Sequence, residues 1–293
     1  MMVKDKYFKK KKTLKIDGKL FEIDKPLIMG IVNLTPDSFY SESRFSNQES
    51  VIIAIDEMLK NGVDIIDIGA VSTRPGAIQV TEKEEISRLL PILKIIRKTF
   101  PKIIISQDTY RANVAKLCVN DFNVNIINDI SAGSYDSKMF ETIKELDVPY
   151  IIMHIKGYPE NMQKSPEYED VTFEIIKYFS EKIATLKLLG VNDVIIDVGF
   201  GFGKSLEHNY QLLNDLGKFK IFGLPILAGI SRKSMINKVL NVSPKDALNG
   251  TTVLNTIALL NGADILRVHD VKEAVECRKI VDFYLYKDSD RNL

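Results

Sequence analysis

The sequence predicts a (β/α)8 barrel, a TIM barrel, preceded by a short β-hairpin. Eight short apolar runs recur along the 293 residues, and seven of them lead into a polar residue that could take part in chemistry. Runs rich in Ile and Val are typical of parallel strands that are buried on both faces. A stretch with helical spacing of apolar residues follows each run. A single domain can hold this pattern, because α/β barrels routinely reach ~250 residues.

The apolar runs define the predicted strands in chain order. They cover residues 28–32, 65–68, 103–107, 124–127, 150–153, 194–196, 226–230 and 265–266. In a barrel of this kind, functional side chains come from the carboxyl ends of the strands and from the loops that follow them. The polar residues at these ends are therefore the candidate site residues.

The stretches between the runs have the periodicity of amphipathic helices. The predicted helices cover residues 49–61, 81–99, 110–120, 136–147, 170–189, 206–219, 244–261 and 271–286. Thr81 and Glu84 have the spacing of a capping box, which indicates that the second helix begins there. Two polar loops, 34–49 and 70–80, are long for a barrel connection and are expected to cover the site.

A hairpin is expected before the first barrel strand. Asp17-Gly18 favours a tight type I′ turn, and the residues around it, 13–23, alternate loosely between apolar and polar. This hairpin would lie at the N-terminal mouth of the barrel. The preceding lysine-rich residues, 1–12, are expected to form a solvated tail. The remainder, 13–293, is expected to be one catalytic domain.

Composition narrows the class of protein. The 40 Lys and Arg residues nearly balance 39 Asp and Glu residues, so no overall charge points to nucleic acid as a partner. Neither a membrane span of ~18 apolar residues nor a signal peptide is recognisable. A cytoplasmic enzyme without a membrane partner is expected, with Cys118 and Cys277 as reduced thiols. The helix at 244–261 is apolar on several faces, so it is either a homodimer contact or a well-buried helix.

Two groups of strand-end residues suggest chemistry. Asp108, Asn128 and Asp197 would converge at the barrel mouth, with Lys233 and Arg267 nearby. Carboxylates and an amide accept hydrogen bonds from a heterocycle rich in N–H groups, such as a pterin or guanine, and the cations can donate to its carbonyl. Because buried carboxylates are costly without a purpose, the set indicates a binding site more strongly than any single Asp does.

The second group has the chemistry of an anion site. It comprises Asn33, Arg74, Arg267 and His269. Arginine offers a planar fork that matches phosphate oxygens, and the amide of Asn33 could help to hold Mg²⁺ together with Asp37. The glycine-rich segment 199–204 would let the backbone approach a flat ligand, with Phe202 as an apolar wall. His154 is open to interpretation as either a core residue or a site residue.

Taken together, these segments resemble the dihydropteroate synthase family. The matching segments are 29–39, 72–77, 127–130, 153–154 with parts of 157–163, 197–204, 231–234 and 267–270. The resemblance runs from about residue 14 to the C-terminus. It implies a folate-pathway transferase in which the amine of p-aminobenzoate displaces pyrophosphate from (7,8-dihydropterin-6-yl)methyl diphosphate, with Mg²⁺ as cofactor. The product would be 7,8-dihydropteroate, and sulfonamides would inhibit the reaction.

The resemblance also implies roles for individual residues. The pterin would be held by Asp108, Asn128, Asp197 and Lys233. Met153 and Gly201 would also belong to the substrate-binding residues. The diphosphate would be held by Asn33, Arg74, Arg267 and His269, with Mg²⁺ near Asn33. The p-aminobenzoate site would be lined by Thr73, Pro75, Phe202, Lys233 and Ser234. Asp108, Lys233 and Arg267 would carry the catalytic roles.

Three positions depart from the family pattern. Val71 stands where the family commonly carries Glu, Val198 where it carries Pro, and Gln107 where it carries an apolar residue. The Gln107 amide needs a partner if it is buried. The turn at 73–77 carries no insertion, which predicts sensitivity to sulfonamides. Two rival interpretations are a pterin-dependent methyltransferase, which would have no use for Arg74, and a non-catalytic pterin-binding subunit.

Overall fold

The barrel predicted from the apolar runs is present in the computed structural model, which describes residues 12–34, 44–71, 80–157, 162 and 166–290. Eight parallel strands form a closed barrel, and each neighbour in the ring is the next strand along the chain. The ring closes where the last strand pairs with the first, with Arg267 opposite Met29. A separate two-stranded antiparallel sheet precedes the barrel. The predicted fold class is therefore confirmed.

The strands match the apolar runs to within a few residues. The hairpin consists of β1 (Lys12–Ile16) and β2 (Lys19–Ile23). The barrel strands are β3 (Leu27–Asn33), β4 (Ile65–Gly69), β5 (Ile104–Asp108), β6 (Ile126–Asp129), β7 (Tyr150–Met153), β8 (Val194–Asp197), β9 (Ile226–Ala228) and β10 (Ile265–Val268).

The helices surround the barrel. They are α1 (Arg44–Lys60), α2 (Glu82–Thr99), α3 (Ala112–Phe122), α4 (Met139–Leu146), α5 (Val171–Leu188), α6 (Leu206–Asn214), α7 (Ser234–Leu240), α8 (Leu248–Leu260) and α9 (Val271–Asp290). Short 3-10 helices occupy Leu216–Phe222 and Pro244–Asp246. Thr81 caps α2 as expected, accepting a hydrogen bond from Glu84 N at 3.3 Å. Within the described ranges, none of these helices is both long and apolar enough to cross a bilayer.

Four helices differ from the sequence prediction. The helix α1 begins at Arg44 rather than at residue 49, so it takes up part of the predicted loop 34–49. The segment 206–219 is broken, because the α-helix stops at Asn214 and continues as a 3-10 helix. The segment 244–261 begins with a 3-10 turn at Pro244, and its α-helix starts only at Leu248. The helix α7 was not predicted at all. It has only seven residues, which are too few to show a helical period in the sequence. Its C-cap residue, Asn241, has the left-handed conformation.

Successive side chains of each barrel strand point alternately outward and inward. Two apolar regions therefore form, one on each side of the barrel wall. The outward side chains pack against the helices in the larger cluster. The inward side chains at the N-terminal end of the barrel form a second cluster. Its members are Leu14 and Ile16 of the hairpin, with Leu27, Met29, Ile65, Ile126, Ile151, Ile195, Leu227 and Ile265 of the barrel. The hairpin therefore closes the N-terminal mouth, as expected.

The hairpin turn has the conformation that its dipeptide favours. Asp17 and Gly18 have φ angles of 49° and 72°, and two positive values in succession are characteristic of a type I′ turn. The Asp17 carboxylate accepts a 2.6 Å hydrogen bond from Asn125 Nδ2, which lies just before β6. The turn is thereby fastened to the barrel itself.

An ion pair reinforces the same end of the molecule. Arg278 on α9 donates to Asp64 Oδ2 at 2.5 Å and to the Pro26 carbonyl at 3.0 Å. Asp64 Oδ2 also accepts the backbone N–H of Ile28 at 2.8 Å. This cluster lies before β3 and β4, at the opposite end of the barrel from the strand carboxyl ends.

Candidate active site

The inward positions near the carboxyl ends of the strands are polar. Each of β4, β6, β8 and β10 has one inward isoleucine in the N-terminal apolar cluster, and the next inward residue along the strand is polar. The strand β5 contributes two inward polar residues. These side chains are Asp67, Ser106, Asp108, Asn128, Asp197 and Arg267. Because they lie directly above the apolar cluster, the barrel interior changes from apolar to charged within one layer. Buried charges of both signs in one cavity are typical of a functional site.

Arg267 lies at the centre of this layer. Its Nε donates to Asp67 Oδ2 at 2.6 Å, and its Nη2 lies 2.9 Å from Asp108 Oδ2. Asn128 Nδ2 donates to the same Asp67 oxygen at 3.2 Å. Burial opposes the charge of Arg267, but the two carboxylates outweigh burial and raise its pKa. The structure thus brings Asp108, Asn128 and Arg267 together, as the sequence predicted.

Asp67 belongs to this cluster but was missed by the sequence analysis. It is fully buried and lies between two isoleucines in the run of β4. Only residues at the ends of the predicted strands were considered as site residues, and Asp67 lies two residues before the end of its strand. Counting every second residue from Ile65 would have placed it inside the barrel with Asp108 and Asn128.

The two predicted carboxylates differ in their partners. Burial raises the pKa of Asp108, although Arg267 opposes that effect. Burial also raises the pKa of Asp197, with Lys233 as the main opposing charge. Asp197 Oδ1 accepts the backbone N–H of Gly199 at 2.8 Å. Burial therefore favours the protonated form of both carboxyls more than water would, and each can exchange hydrogen bonds with a ligand N–H or ring nitrogen.

Lys233 approaches this layer from the start of α7. Its ammonium donates to the Phe200 carbonyl and lies 4.6 Å from the centroid of the Phe202 ring. Burial lowers the pKa of Lys233 to about 8, with Asp197 opposing the shift. A side-chain carbon at Gly229 would lie 3.9 Å from Lys233 Nζ and from Asp197 Oδ2. The absence of a side chain at Gly229 therefore keeps the space between these two groups open.

The glycine-rich segment 199–204 lies against the carboxyl end of β7. Gly199 and Gly203 have φ angles of 71° and 61°, and a side chain at either position would collide with the backbone of His154 or Lys156. These two glycines are therefore required both by conformation and by close approach. Gly201 donates its backbone N–H to Asn209 Oδ1 at 2.6 Å. The segment is held against β7 and α6 rather than projecting as a loop.

Lys204 fastens this segment from inside. Its buried ammonium lies 2.9 Å from the Phe202 carbonyl, 3.2 Å from the His154 carbonyl and 3.0 Å from His154 Nδ1. Burial lowers the pKa of both Lys204 and His154. The open question about His154 is thereby answered by its contacts, because its ring packs edge-on against Tyr178 and braces Lys204. Sequence reasoning did not identify Lys204 as a brace.

Asn33 and His269 lie at the rim of the mouth. Asn33 ends β3 and is paired in register with Gly69, which is in turn paired with Asp108. A side-chain carbon at Gly69 would lie 3.7 Å from Asn33 Oδ1 and 3.5 Å from Asp108 Oδ2. His269 follows β10 directly and is exposed. Met153 ends β7 opposite Asp197, and Ser234 is the first residue of α7.

Three predicted binding residues, Thr73, Arg74 and Pro75, lie outside the described residues, as does Asp37. Gln107, whose amide needs a partner if it is buried, is in fact fully buried. Its Nε2 donates to the Asp108 carbonyl at 3.2 Å, and its Oε1 has no hydrogen-bond partner within the described part of the chain. In that part of the chain, the Gln107 amide therefore has a partner for its nitrogen but none for its oxygen.

Comparison with known proteins adds to this geometry. A family model described as "Pterin binding enzyme" matches residues 29–269. The dihydropteroate synthase of Escherichia coli (strain K12) is 40% identical over 267 residues, which are 90% of this chain and 94% of that protein. The dihydropteroate synthase of Haemophilus influenzae is 39% identical over 266 residues, covering 90% of this chain and 96% of the relative.

Solved structures agree with this comparison. The Yersinia pestis dihydropteroate synthase in a sulfonamide drug complex superposes with a TM-score of 0.87 at 38% identity, covering 94% of this chain and 99% of that one. A Xanthomonas albilineans dihydropteroate synthase with 4-aminobenzoic acid also gives a TM-score of 0.87, at 32% identity. That superposition covers 94% of this chain and 98% of the other.

Proposed function

The chain belongs to the pterin-binding enzyme family, and from this premise we propose how its barrel mouth performs the dihydropteroate synthase reaction. It is a transferase of folate synthesis that joins p-aminobenzoate to a dihydropterin and releases pyrophosphate. The observation that carries the assignment of residues is the cluster of Arg267 with Asp67, Asp108 and Asn128 inside the barrel. The relatives named above are synthases, which argues against the methyltransferase and binding-subunit interpretations.

The pterin is proposed to lie across the polar layer. Asp108, Asn128 and Asp197 accept from, or donate to, the N–H and N groups of its edge, while Lys233 donates to its carbonyl. Met153, which is buried beside Asp197, supplies an apolar surface for the ring. The raised pKa values of Asp108 and Asp197 support this role. A carboxyl accepts hydrogen bonds when it is ionised and can donate one when it is protonated, so it can pair with either the donors or the acceptors of a heterocycle.

The diphosphate is proposed to lie at the rim, where Asn33, Arg267 and His269 can reach it, with Arg74 assigned by resemblance. Within the described ranges, no group of three or more His, Cys, Asp or Glu side chains could hold a metal ion. Asn33 instead offers one amide oxygen, which fits Mg²⁺ because that ion usually keeps several waters and takes its remaining ligands from substrate phosphates. When bound there, Mg²⁺ neutralises charge on the leaving group.

The p-aminobenzoate is proposed to lie against Phe202 and the alkyl chain of Lys233, near the hydroxyl of Ser234. The cation–π contact between Lys233 and Phe202 supports this arrangement, because it holds the Phe202 ring in one orientation beside the pterin site. Thr73 and Pro75 are assigned to the same site by resemblance. A side-chain carbon at Gly201 would lie 3.3 Å from Lys233 Cδ, so the glycine leaves room for a substrate beside that lysine.

The reaction then follows from charge. The C–O bond between the pterin methylene and the diphosphate breaks, and its electron pair leaves with the diphosphate, which Arg267 and His269 stabilise. Positive charge develops on the dihydropterin, where Asp108 in its ionised form stabilises it. The lone pair of the aryl amine forms the new C–N bond, and the amine then releases one proton. No strong base is required, because an aryl amine is already nucleophilic.

The test is pyrophosphate release by the purified protein, with the pterin diphosphate, Mg²⁺ and p-aminobenzoate omitted in turn. We expect release coupled to dihydropteroate formation only when all three are present. Arg267→Ala should reduce kcat far more than it reduces pterin affinity, because Arg267 acts on the leaving group. Turnover without Mg²⁺, or equal losses in kcat and pterin affinity, would contradict the roles proposed here. A sulfamethoxazole titration should show competition with p-aminobenzoate.

The active protein is proposed to be a cytoplasmic homodimer. Apolar side chains are exposed on three consecutive helices, α7, α8 and α9: Val239, Leu240, Val253, Ile257, Leu260, Ile280, Phe283, Tyr284 and Leu285. α8 and α9 pack against each other, so these side chains form one patch, and a second copy offers the matching surface. Both cysteines are buried free thiols, which agrees with a reducing compartment.

Sedimentation equilibrium tests the dimer. Ile280→Asp should shift the protein toward monomer, because a charge would be buried in the centre of the interface. Leu188→Asp is the matched control, since Leu188 is also exposed but lies on α5, away from the patch. Equal behaviour of the two variants would place the interface elsewhere.

A further inference from the structure

Ser231 and His269 are joined by two hydrogen bonds that connect the loop after β9 with the loop after β10. The hydroxyl oxygen of Ser231 lies 3.0 Å from Nδ1 of His269. The same oxygen accepts the backbone N–H of His269 at 3.2 Å. Ser231 is only 5% exposed, whereas His269 is exposed at the rim of the mouth. The serine is therefore a buried support behind an accessible ring.

The proton count of this pair fixes the tautomer of the ring. A serine hydroxyl has one proton to donate and two lone pairs to accept with. In the part of the chain that the structure describes, the hydroxyl oxygen of Ser231 makes its hydrogen bonds only with His269. If Nδ1 carried the ring proton, the buried hydroxyl proton would have no acceptor, which is costly. Nδ1 therefore accepts, and in the neutral ring the proton resides on Nε2.

The neighbouring residues hold the two loops at this distance. Arg232, between Ser231 and Lys233, has a φ angle of 56°, in the left-handed region that residues other than glycine rarely adopt. Its Nε and Nη2 donate to the two Asp270 oxygens at 2.9 and 2.7 Å. Each member of the Ser231–His269 pair is thus followed by a member of a bidentate ion pair. Such pairs are geometrically specific, so the spacing of the two loops is well defined.

We propose that Ser231 is a positioning residue that holds His269 in the Nε2–H tautomer, so that the ring presents an N–H donor to the oxygens of the substrate diphosphate. The inference rests on the proposed function, which assigns His269 to the diphosphate. With the opposite tautomer, an Nε2 lone pair would face the anion and repel it. Ser231 thereby allows the His269 ring to bind an anion in its neutral form, with its single ring proton on Nε2.

The first test reads the tautomer directly. The chain has three histidines, so nitrogen NMR of histidine-labelled protein separates His269 from His154 and His208. In the unmodified protein, we expect the His269 Nδ1 signal of an unprotonated nitrogen. Ser231→Ala should move it toward a mixture of tautomers, whereas Ser231→Thr, which keeps the hydroxyl, should not. The signals of His154 and His208 show whether each variant is folded. A protonated Nδ1, or no response to Ser231→Ala, would overturn the inference.

The second test measures binding of inorganic pyrophosphate in the presence of Mg²⁺. Ser231→Ala should weaken binding roughly 3–10-fold, and His269→Ala by at least as much. Because the serine acts through the ring, the double variant should bind no more weakly than His269→Ala alone. If His269→Ala leaves binding unchanged, its diphosphate role fails whatever the tautomer. If His269→Ala weakens binding but Ser231→Ala changes neither tautomer nor affinity, the proposed function stands and this inference fails.

Discussion

Arg267 donates from Nε to Asp67 Oδ2 at 2.6 Å, a contact between residues 200 positions apart in the sequence. The second oxygen of Asp67 is buried and has no hydrogen-bond partner in the part of the chain that the structure describes. An unpartnered buried oxygen costs roughly 1–3 kcal/mol. Asp67 therefore sets the orientation of the arginine that acts on the leaving group, at a cost in stability.

Asp67→Asn should reduce kcat/KM by about 10–100-fold. The amide keeps the shape of the side chain but removes the charge that aligns Arg267, which would then be drawn toward Asp108. Steady-state kinetics with both substrates varied measures the effect. Asp64→Asn is the matched control, because Asp64 pairs with Arg278 at the opposite end of the barrel. That variant should lose stability and keep its kinetics, and equal kinetic losses in both variants would reject a local role for Asp67.

Lys204→Met should raise the KM for p-aminobenzoate more than it affects binding of the pterin. The substitution removes the donor that holds the Phe202 carbonyl, so the ring beside Lys233 loses its fixed position. We expect an increase of roughly 5–20-fold, since one charge-assisted hydrogen bond is worth ~1.5–3 kcal/mol and only part of it acts on the substrate. Lys116→Met provides the comparison, because that exposed ammonium pairs with Glu145 on the outer helices, away from the segment 199–204. An unchanged KM in Lys204→Met would show that Phe202 needs no such brace.

The pH dependence of kcat/KM should have an alkaline limb near pH 8. Burial lowers the pKa of Lys233 to about 8, so the ammonium is present below that pH and is lost as the pH rises through it. The proton carries away the positive charge that strengthens the hydrogen bond to the pterin carbonyl and attracts Asp197. Lys233→Arg should move the limb to higher pH, because a guanidinium keeps its charge. A limb at the same pH in both proteins would assign the titration to another group.

Leu14→Ala should lower the free energy of unfolding by about 2–4 kcal/mol. Leu14 is 1% exposed and belongs to the apolar cluster that closes the N-terminal mouth. Its truncation leaves a cavity that the surrounding strands cannot fill. Leu20→Ala, on the partner strand of the same hairpin but 78% exposed, should change the stability by less than ~0.5 kcal/mol. Chemical denaturation of the two variants gives the comparison, and kinetic constants should be unchanged in both.

Much of the site was accessible from sequence because strand ends in a parallel barrel meet at one face. Asp108, Asn128, Asp197 and Arg267 were identified in that way, and the structure brings them into one layer. Asp67 was missed because a single carboxylate inside an apolar run carries no local signal of its direction. The helix α7 was missed because two turns are too short to establish a period.

Local periodicity in the sequence determined the strands, the type I′ hairpin turn and most of the helices, because backbone conformation responds to near neighbours. It also placed the polar residues that the family motifs share. Only the tertiary structure decided which of these residues become partners. Closure of the barrel places β10 beside β3, which brings Arg267 to Asp67 and Asp108. Arg232, in a left-handed backbone conformation, pairs with Asp270, while its neighbour Lys233 donates to the Phe200 carbonyl. Such choices depend on contacts between distant segments, which a local pattern does not contain.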